Sequence, residues 1–386
     1  MVSLIGRNLN KICRGSLNAI EQQHLRKCKY YSTTDIATTA GSILPKVIFS
    51  GIQPTGIAHL GNFLGALRSW ADLSKNSAAN EKLIFCIADL HALTVPPPPD
   101  VLREHRRQAA AMIIASGVDV KKCILYEQSK VSGHAELSWL LTCISSFGSL
   151  NRMTQWKSKL NLKDESSAGD SQVMERLQLG LFSYPVLQAA DVLLHNATHV
   201  PVGEDQVQHL ELTRDIARKF NKKVGQKIFK IPQVQLSTTP RVMSLKDPLK
   251  KMSKSDKSLN SRVLLSDTPD QIQKKIEGSA TDSIKAIYYD KEERPGVSNL
   301  ISIAAGVKGI SPEDLAEDLS KMSGSKELKN YVSQIVINLM DPVRLEYERL
   351  LADPEYLDQI LLDGATRAYA SSIPALNKAK TALGLL

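Results

Sequence analysis

From residue 45 onward, short apolar runs alternate with longer amphipathic stretches: 47–50, then 60–73, 83–88, 101–116 and 123–127. The short runs predict strands and the longer ones, apolar on one side at helical spacing, predict helices. This rhythm predicts an α/β fold, a Rossmann-like parallel sheet with helices on both faces, whose ligands gather at the carboxyl ends of the strands. The proline run 96–99 can continue neither element and predicts an extended corner before a helix opening near Asp100. Residues 157–176 are polar and aperiodic, which predicts an exposed flexible loop with a short helix near the site mouth. Beyond Arg241 the alternation stops. Residues 268–277, 297–305, 312–322 and 327–339 predict a mostly α-helical second domain, with Thr268-Pro269 and Ser311-Pro312 as helix starts. A last amphipathic helix is expected over 357–383, and there is no internal repeat.

With 386 residues, 42% of them hydrophobic, the chain can bury a substantial core and has the length of two domains. No apolar stretch approaches the roughly 20 residues needed to cross a bilayer, so no membrane partner is expected. Cys13, Cys28, Cys86, Cys123 and Cys143 form no Cys-x-x-Cys pair and read as reduced structural thiols. His195, His199 and His209 lack the spacing of a structural zinc site, so no metal held by the protein alone is expected. Of the net charge of +9, residues 1–40 supply +4, through six Lys or Arg against Glu21 and Asp35, which leaves only a mild excess for an RNA-binding surface. That opening stretch is basic, rich in Ser, Thr and Asn, and interleaved with Leu and Ile. It predicts a mitochondrial transit peptide over residues 1–31, with a basic arm that touches RNA as the alternative.

Two segments carry the chemistry. Gly51-Ile-Gln-Pro-Thr-Gly-Ile-Ala-His59-Leu-Gly-Asn62 follows the first apolar run and leads into Phe63-Leu64, which predicts a strand, a tight turn and a helix start. Gly51, Gly56 and Gly61 allow positive φ and close backbone approach, and the free amides at the helix start attract an anion. Far downstream, Lys251-Met-Ser-Lys-Ser255 offers two ammonium groups among small hydroxyls suited to phosphate oxygens. Alone, either could be an ordinary turn or a solvated lysine run; together they point to ATP.

His59-Leu-Gly-Asn62 resembles a variant of the His-Ile-Gly-His signature, and Lys251 to Ser255 the Lys-Met-Ser-Lys-Ser signature, of class I aminoacyl-tRNA synthetases. Gly51-Ile-Gln-Pro54, Arg152-Met-Thr-Gln155, Tyr184 to Asp191, Val200 to Gln206, Thr281-Asp282 and Tyr289-Asp290 are similar to the tryptophanyl branch, so the likeness covers nearly everything from Lys46 onward. The resemblance implies a ligase that activates L-tryptophan with MgATP to tryptophanyl-adenylate and pyrophosphate, then transfers it to the terminal ribose of tRNA(Trp). It further implies a homodimer with no DNA partner, and the expected transit peptide places it in the mitochondrial matrix. Its domains are expected over 46–240 with 347–386, Rossmann-type and catalytic, and over 241–346, helical and anticodon-binding. The last helix is expected to return to the catalytic part.

Joining a carboxylate to an α-phosphate brings two anions together, so positive charge and positioning do most of the work. The resemblance puts Lys251 and Lys254 over the triphosphate, with Met252 anchoring their loop, and His59 and Asn62 as hydrogen-bond donors to the developing phosphoryl charge. Gln53, Pro54, Thr55 and Gly61 are expected at phosphate or ribose, as are Val242, Ser253, Ser255 and Lys159. Gly203, Glu204 and Asp205 are expected at the junction of ATP and amino acid. Plain alternatives are that Thr55 caps a turn, that His59 caps the helix and that Lys250 is solvated. Mg²⁺ is expected on the phosphates rather than in a protein cage. For the amino acid, a partly buried Asp191 would accept the indole N–H, beside Phe49, Tyr184 and His91, with Gln206 at the α-ammonium; a capping or salt-bridged aspartate is the alternative. Lysines from 246 to 257, with Lys274, Lys275, Lys321, Lys326 and Lys329, could meet RNA phosphates. Lys257-Ser258 and Leu90 depart from the usual family residues. The tyrosyl branch, and a non-catalytic RNA-binding relative, remain as rival readings.

Overall fold

The computed structural model describes residues 45–160, 162–163, 165–236, 241–254 and 256–386. The expected transit peptide, Cys13, Cys28 and Ser255 lie outside these residues. Strands β1 (Lys46–Ile52), β2 (Glu81–Ile87), β3 (Cys123–Glu127), β4 (His199–Val202) and β5 (Gln233–Leu236) form one parallel sheet in the order β3-β2-β1-β4-β5. Alternate residues serve opposite cores. Ile48, Leu83, Phe85 and Leu125 enter one, while Phe49, Ile84, Cys86 and Tyr126 enter the other. That two-sided burial is why β1, β2 and β3 carry near-continuous apolar runs, whereas the edge strand β5, Gln-Val-Gln-Leu, alternates and is mostly exposed. The winding reverses between β1 and β4, so a crevice opens at the carboxyl ends of these two strands.

Helix α1 covers residues 60–76: Leu60–Asn62 passes through a π-helical turn, Phe63–Leu67, into Arg68–Asn76. Helix α2 (Pro99–Ala115) places Pro99 in its first turn, where the missing N–H has no partner to lose. Helices α3 (Gly133–Thr142), α4 (Leu179–Leu194) and α5 (Val207–Val224) build the second core. Helices α6 (Pro269–Glu277), α7 (Pro295–Lys308), α8 (Pro312–Leu319) and α9 (Ser325–Leu351) build the first. The expected caps form: Thr268 and Gln271 make a reciprocal capping box, and Ser311 Oγ accepts from Asp314 N at 3.0 Å. Helix α10 (Pro354–Ala382) lies on β3 so closely that a Cβ added at Gly364 would sit 1.7 Å from the Leu125 carbonyl oxygen.

Three expectations need correction. Residues 157–176 are not simply an exposed flexible loop. Lys157 is buried in the middle of the helix Gln155–Lys159, Ala168 and Val173 belong to the second core, and Asn151 Oδ1 accepts from Ala168 N at 2.7 Å. The apolar positions are sparse and irregular because they pin a loop and do not line a helix. The short helix there is Ser171–Met174. Second, the helix expected over 327–339 runs on to Leu351, through Pro342 and across residue 346 without a break. Arg344 bonds both Asp341 and Glu348 in the turns around that proline, and Met340, Tyr347 and Leu350 are buried on the same helix. Third, among Gly51, Gly56 and Gly61 only Gly56 has positive φ, at 83°. Among the described residues no helix is long and apolar enough to cross a membrane.

Candidate functional site

The turn after β1 lies in the crevice. Gly56 must be left-handed there, with His105 Nε2 3.1 Å from where its Cβ would be. His59 caps α1. Its Nδ1 accepts from Asn62 N at 3.3 Å, and Asn62 Oδ1 accepts from His59 N at 3.2 Å. The capping alternative is therefore realised, and it leaves His59 Nε2 and the Asn62 amide nitrogen outside the cap. Gly61 lets the cap close, since its Cβ would meet His59 Nδ1 at 3.2 Å.

The lysine segment comes to this turn through the backbone. Leu60 N donates to Val263 O at 2.8 Å, and Leu265 N donates to Ala58 O at 2.8 Å, so the chain just beyond the lysines runs antiparallel to the first motif. Met252 N donates to Val242 O at 3.1 Å, and both side chains are buried in the first core, which fixes the near side of the loop. Arg262, also buried, donates to Asp256 O at 2.9 Å and Ser258 O at 3.2 Å and fixes the far side. Lys254 then spans the gap. Its Nζ donates to Gly56 O at 2.7 Å and to Thr55 Oγ1 at 3.2 Å. Lys251 is exposed beside it, and Lys250 faces solvent in an ion pair with Asp247. Burial without an anionic partner lowers Lys254 to about 8. Burial, reinforced by the charges of Lys254, Lys251 and Arg262, lowers His59 to about 4, so His59 is neutral at physiological pH. The result is a turn with a cationic lid and no resident anion among the described residues, suited to a polyphosphate.

The second half of the site is built on α4. Tyr184, Gln188 and Asp191 recur at intervals that put them on one helical face. Asp191 is 4% exposed and accepts three bonds: from Gln128 Nε2 at 2.6 Å, His134 Nδ1 at 2.7 Å and His91 Nε2 at 2.8 Å. Burial opposes its ionisation, but the His134 and His91 bonds outweigh that and hold the carboxylate well below its usual range. The Tyr184 hydroxyl donates to Gln155 Oε1 at 2.9 Å and also meets His209 Nε2 at 2.9 Å. Gln155 in turn bonds the Asp205 carbonyl in the exposed turn Glu204–Gln206 after β4, and Gln206 links Gln188 to the Asp205 carboxylate.

Phe49 stacks on His195 beneath this pocket, and Gly203 opens the Glu204 turn. Gln53, with the buried Pro54, shapes the turn before Gly56, and Ser253 adjoins Lys254. Lys159 stands over the Tyr184 ring, 4.8 Å from its centroid, on the amino-acid side of the site. One RNA-contact expectation is corrected: Lys275 is buried and paired with Asp267 at 2.5 Å, out of reach of a phosphate. Lys246 and Lys329 tie down the end of α6 by donating to the carbonyls of Gly278, and of Glu277 and Ser279. The Asp282 stretch is architectural. Buried Arg294 grips Asp282 with two bonds, at 2.7 and 3.0 Å. Sequence reasoning missed Gln128, His134 and Arg262. Gln128 follows the carboxyl end of β3, the position where ligand-facing groups of such sheets collect, and could have been found on that ground.

Comparison with known proteins agrees with this geometry. The tRNA synthetases of class I (W and Y) match residues 45–341. The mitochondrial tryptophan–tRNA ligase of Saccharomyces cerevisiae is 50% identical over 327 residues, 83% of this chain and 86% of that protein. The mitochondrial tryptophan–tRNA ligase of Schizosaccharomyces pombe is 45% identical, covering 89% of this chain and 97% of that one. Among solved structures, the tryptophanyl-tRNA synthetase of Mycoplasma pneumoniae superposes with a TM-score of 0.76 at 32% identity, over 88% of this chain and 98% of that one. The Campylobacter jejuni enzyme, complexed with ADP and tryptophan, gives 0.71 at 30% identity, over 88% and 100%. The sheet order, the joined glycine and lysine motifs and these matches lead to one conclusion: the chain belongs to the class I tRNA synthetases of the W and Y family.

Proposed function

We propose that this chain activates tryptophan with ATP and transfers it to tRNA(Trp) in mitochondria, with a division of labour set by the two halves of the crevice. The observation that carries the reading is the reach of Lys254 across to Gly56 and Thr55, which joins the two motifs at the switch point of the sheet. ATP places its phosphates against the turn of Gln53, Pro54, Thr55 and Gly56 and the start of α1. Lys254 exchanges its carbonyl and hydroxyl partners for phosphate oxygens, and Lys251 joins it as charge builds on the departing pyrophosphate. Neutral His59 donates from Nε2 and Asn62 from its amide, while Gly61 lets the phosphate approach. Val242 and Met252 seat the lysine loop, with Ser253 and Ser255 hydrogen-bonding phosphate. Magnesium arrives on the phosphates, since this cation favours phosphate oxygens and retained water; among the described residues no cluster of three His, Cys, Asp or Glu could hold a metal.

Tryptophan lies with its ring between Phe49 and Tyr184 and its N–H on Asp191. The carboxylate offers about four acceptor positions. Three are taken, which leaves one on Oδ2 for the substrate. His91 holds that oxygen from the other side, and Gln206 meets the α-ammonium. Glu204, Asp205 and Gly203 border the junction with ATP, and Lys159 approaches the phosphates from over Tyr184. Residues 46–240 and 347–386 act as the catalytic part and 241–346 as the anticodon-binding part, in the matrix, once a transit peptide is removed. The exposed Trp139, Phe147 and Leu179, on three helices of which Leu179–Leu194 packs on the other two, support a homodimer through these side chains.

ATP–pyrophosphate exchange, run separately with tryptophan, tyrosine and phenylalanine, tests the reading. Exchange with tryptophan alone is expected, and exchange with tyrosine alone overturns it. Light scattering of Trp139→Glu is expected to give monomers from dimers; a monomeric parent chain would end the dimer proposal.

A further inference from the structure

Behind Asp191 a line of side chains crosses the protein. His134 Nδ1 bonds the carboxylate, and His134 Nε2 meets the Tyr126 hydroxyl at 2.8 Å. Tyr126 meets His195 Nε2 at 3.0 Å, His195 Nδ1 meets Ser371 Oγ at 3.1 Å, and Lys82 Nζ donates to Ser371 Oγ at 2.7 Å. An ammonium stands at one end and a carboxylate at the other. One assignment of protons therefore satisfies every atom in the same sense: Lys82 donates to Ser371, Ser371 to His195, His195 to Tyr126, Tyr126 to His134, and His134 to Asp191. Burial, with the charges of His134 and Lys82, keeps His195 well below its usual range, which leaves its Nδ1 free to accept as this assignment requires. Tyr126 and His134 are fully buried and His195 nearly so, and Ser371 is half-buried on α10. These links come from β2, β3, α3, the end of α4 and α10, so the last helix of the chain is hydrogen-bonded, through three rings, to the pocket carboxylate.

We propose that Ser371, His195, Tyr126 and His134 are positioning residues for amino-acid selection, a relay that aims the remaining acceptor position of Asp191 at the indole N–H. The proposal rests on the reading of Asp191 as the indole acceptor given above. In a low-dielectric interior successive hydrogen bonds polarise one another, so each donor in the line sharpens the direction of the next. If His134 loses the hydrogen bond it accepts from Tyr126, its ring is free to tilt, and the bond it donates to Asp191 is less well aimed than those from Gln128 and His91. Substrate affinity and discrimination fall together, while the phosphate side of the crevice, on other elements, is unaffected. A core that merely needed filling would lose stability without that selective change.

The test compares tryptophan with its benzothiophene isostere, which has sulfur in place of the ring N–H, in pyrophosphate exchange. Tyr126→Phe and Ser371→Ala are each expected to raise the tryptophan KM about three- to tenfold and to lower the preference for tryptophan over the isostere by a similar factor, the scale of one net hydrogen bond. The ATP KM should stay within about twofold, and Ser371→Thr should restore the parent values. Asp191→Asn should remove most of the preference, and Tyr126→Phe added to it should have no further effect. If Asp191→Asn alters the preference while Tyr126→Phe and Ser371→Ala do not, or if Tyr126→Phe acts equally in the Asp191→Asn background, the relay is overturned and the acceptor role stands. If Asp191→Asn leaves the preference unchanged, the acceptor reading itself fails and takes the relay with it. Ser371→Ala, at a half-buried hydroxyl, keeps the test open should Tyr126→Phe fold poorly.

Discussion

Replacing Lys254 by Met keeps an apolar stem and removes the one ammonium that joins the two motifs. In the free chain that ammonium is held by a carbonyl at 2.7 Å and a hydroxyl at 3.2 Å, neither of them charged, and burial therefore lowers it to about 8. A triphosphate supplies the missing anion. ATP must then raise the lysine toward its ordinary range, and binding above pH 8 must take up a proton. The sign follows directly: ATP binds best where Lys254 is already charged, so the ATP KM is lowest below pH 8 and rises by about tenfold per pH unit above it. Loss of one preorganised donor aimed at the transition state costs about 10²- to 10³-fold in kcat, or roughly 3–4 kcal/mol. Pyrophosphate exchange at saturating tryptophan, run from below to above pH 8, reads both effects. Lys254→Met should lose about two to three orders of magnitude and the alkaline rise in KM with it, whereas Lys254→Arg should keep much of the rate and lose the rise. A fall of less than about threefold, or an alkaline limb that survives in Lys254→Met, would refute the clamp.

Gly364→Ala should destabilise the chain by about 3 kcal/mol, the upper end of the usual cost of overpacking, because the new methyl collides with the Leu125 carbonyl and pushes α10 off β3; a denaturant midpoint equal to that of the parent contradicts this close approach. Asp267→Ala strands Lys275 in the core and removes the acceptor for Leu264 N, beside the segment paired with the first motif, for a loss of about 3–5 kcal/mol in chemical unfolding. Burial lowers His59 and His209 to about 4 and holds His195 well below its usual range, so these rings stay neutral in the fold while the unfolded chain protonates them. The unfolded state thus binds more protons between pH 4 and 6.5, and stability should rise with pH across that window. Urea midpoints that are flat there would show that the rings are charged in the native state.

The first strand, turn and helix were legible because their chemistry is local: an apolar run, glycines and a cap within a dozen or so residues. Thr268 and Ser311 announced their helices for the same reason. Residues 157–176 misled because Lys157, Ala168 and Val173 are buried by their neighbours in space, which no period records. The π-helical turn at Phe63–Leu67 and the run of α9 through Pro342 likewise follow from packing on α1 and α9 that outweighs local preference. In the site, Asp191 and the lysines could be picked out by motif. Arg262 could not, because its partners are main-chain carbonyls, of Asp256 and Ser258, which no side-chain pattern records. Gln128 and His134 could not either, since each acts through a partner distant in the chain: Asp191 lies 63 residues from Gln128 and 57 from His134. Ser371 is farther still, 176 residues from His195, and an ordinary serine on an amphipathic helix carries no mark of that contact.

The central claim is that the β1 turn and the lysine loop form one nucleotide clamp at the switch point of the sheet. A crystal structure of the chain with a non-hydrolysable ATP analogue tests it most directly. The account predicts phosphates between the turn at Thr55 and Gly56 and the Nζ atoms of Lys251 and Lys254, with the Lys254 bond to Gly56 O broken in favour of a phosphate oxygen. A nucleotide seated elsewhere, or phosphates in this crevice with both ammonium groups turned to solvent, would contradict it.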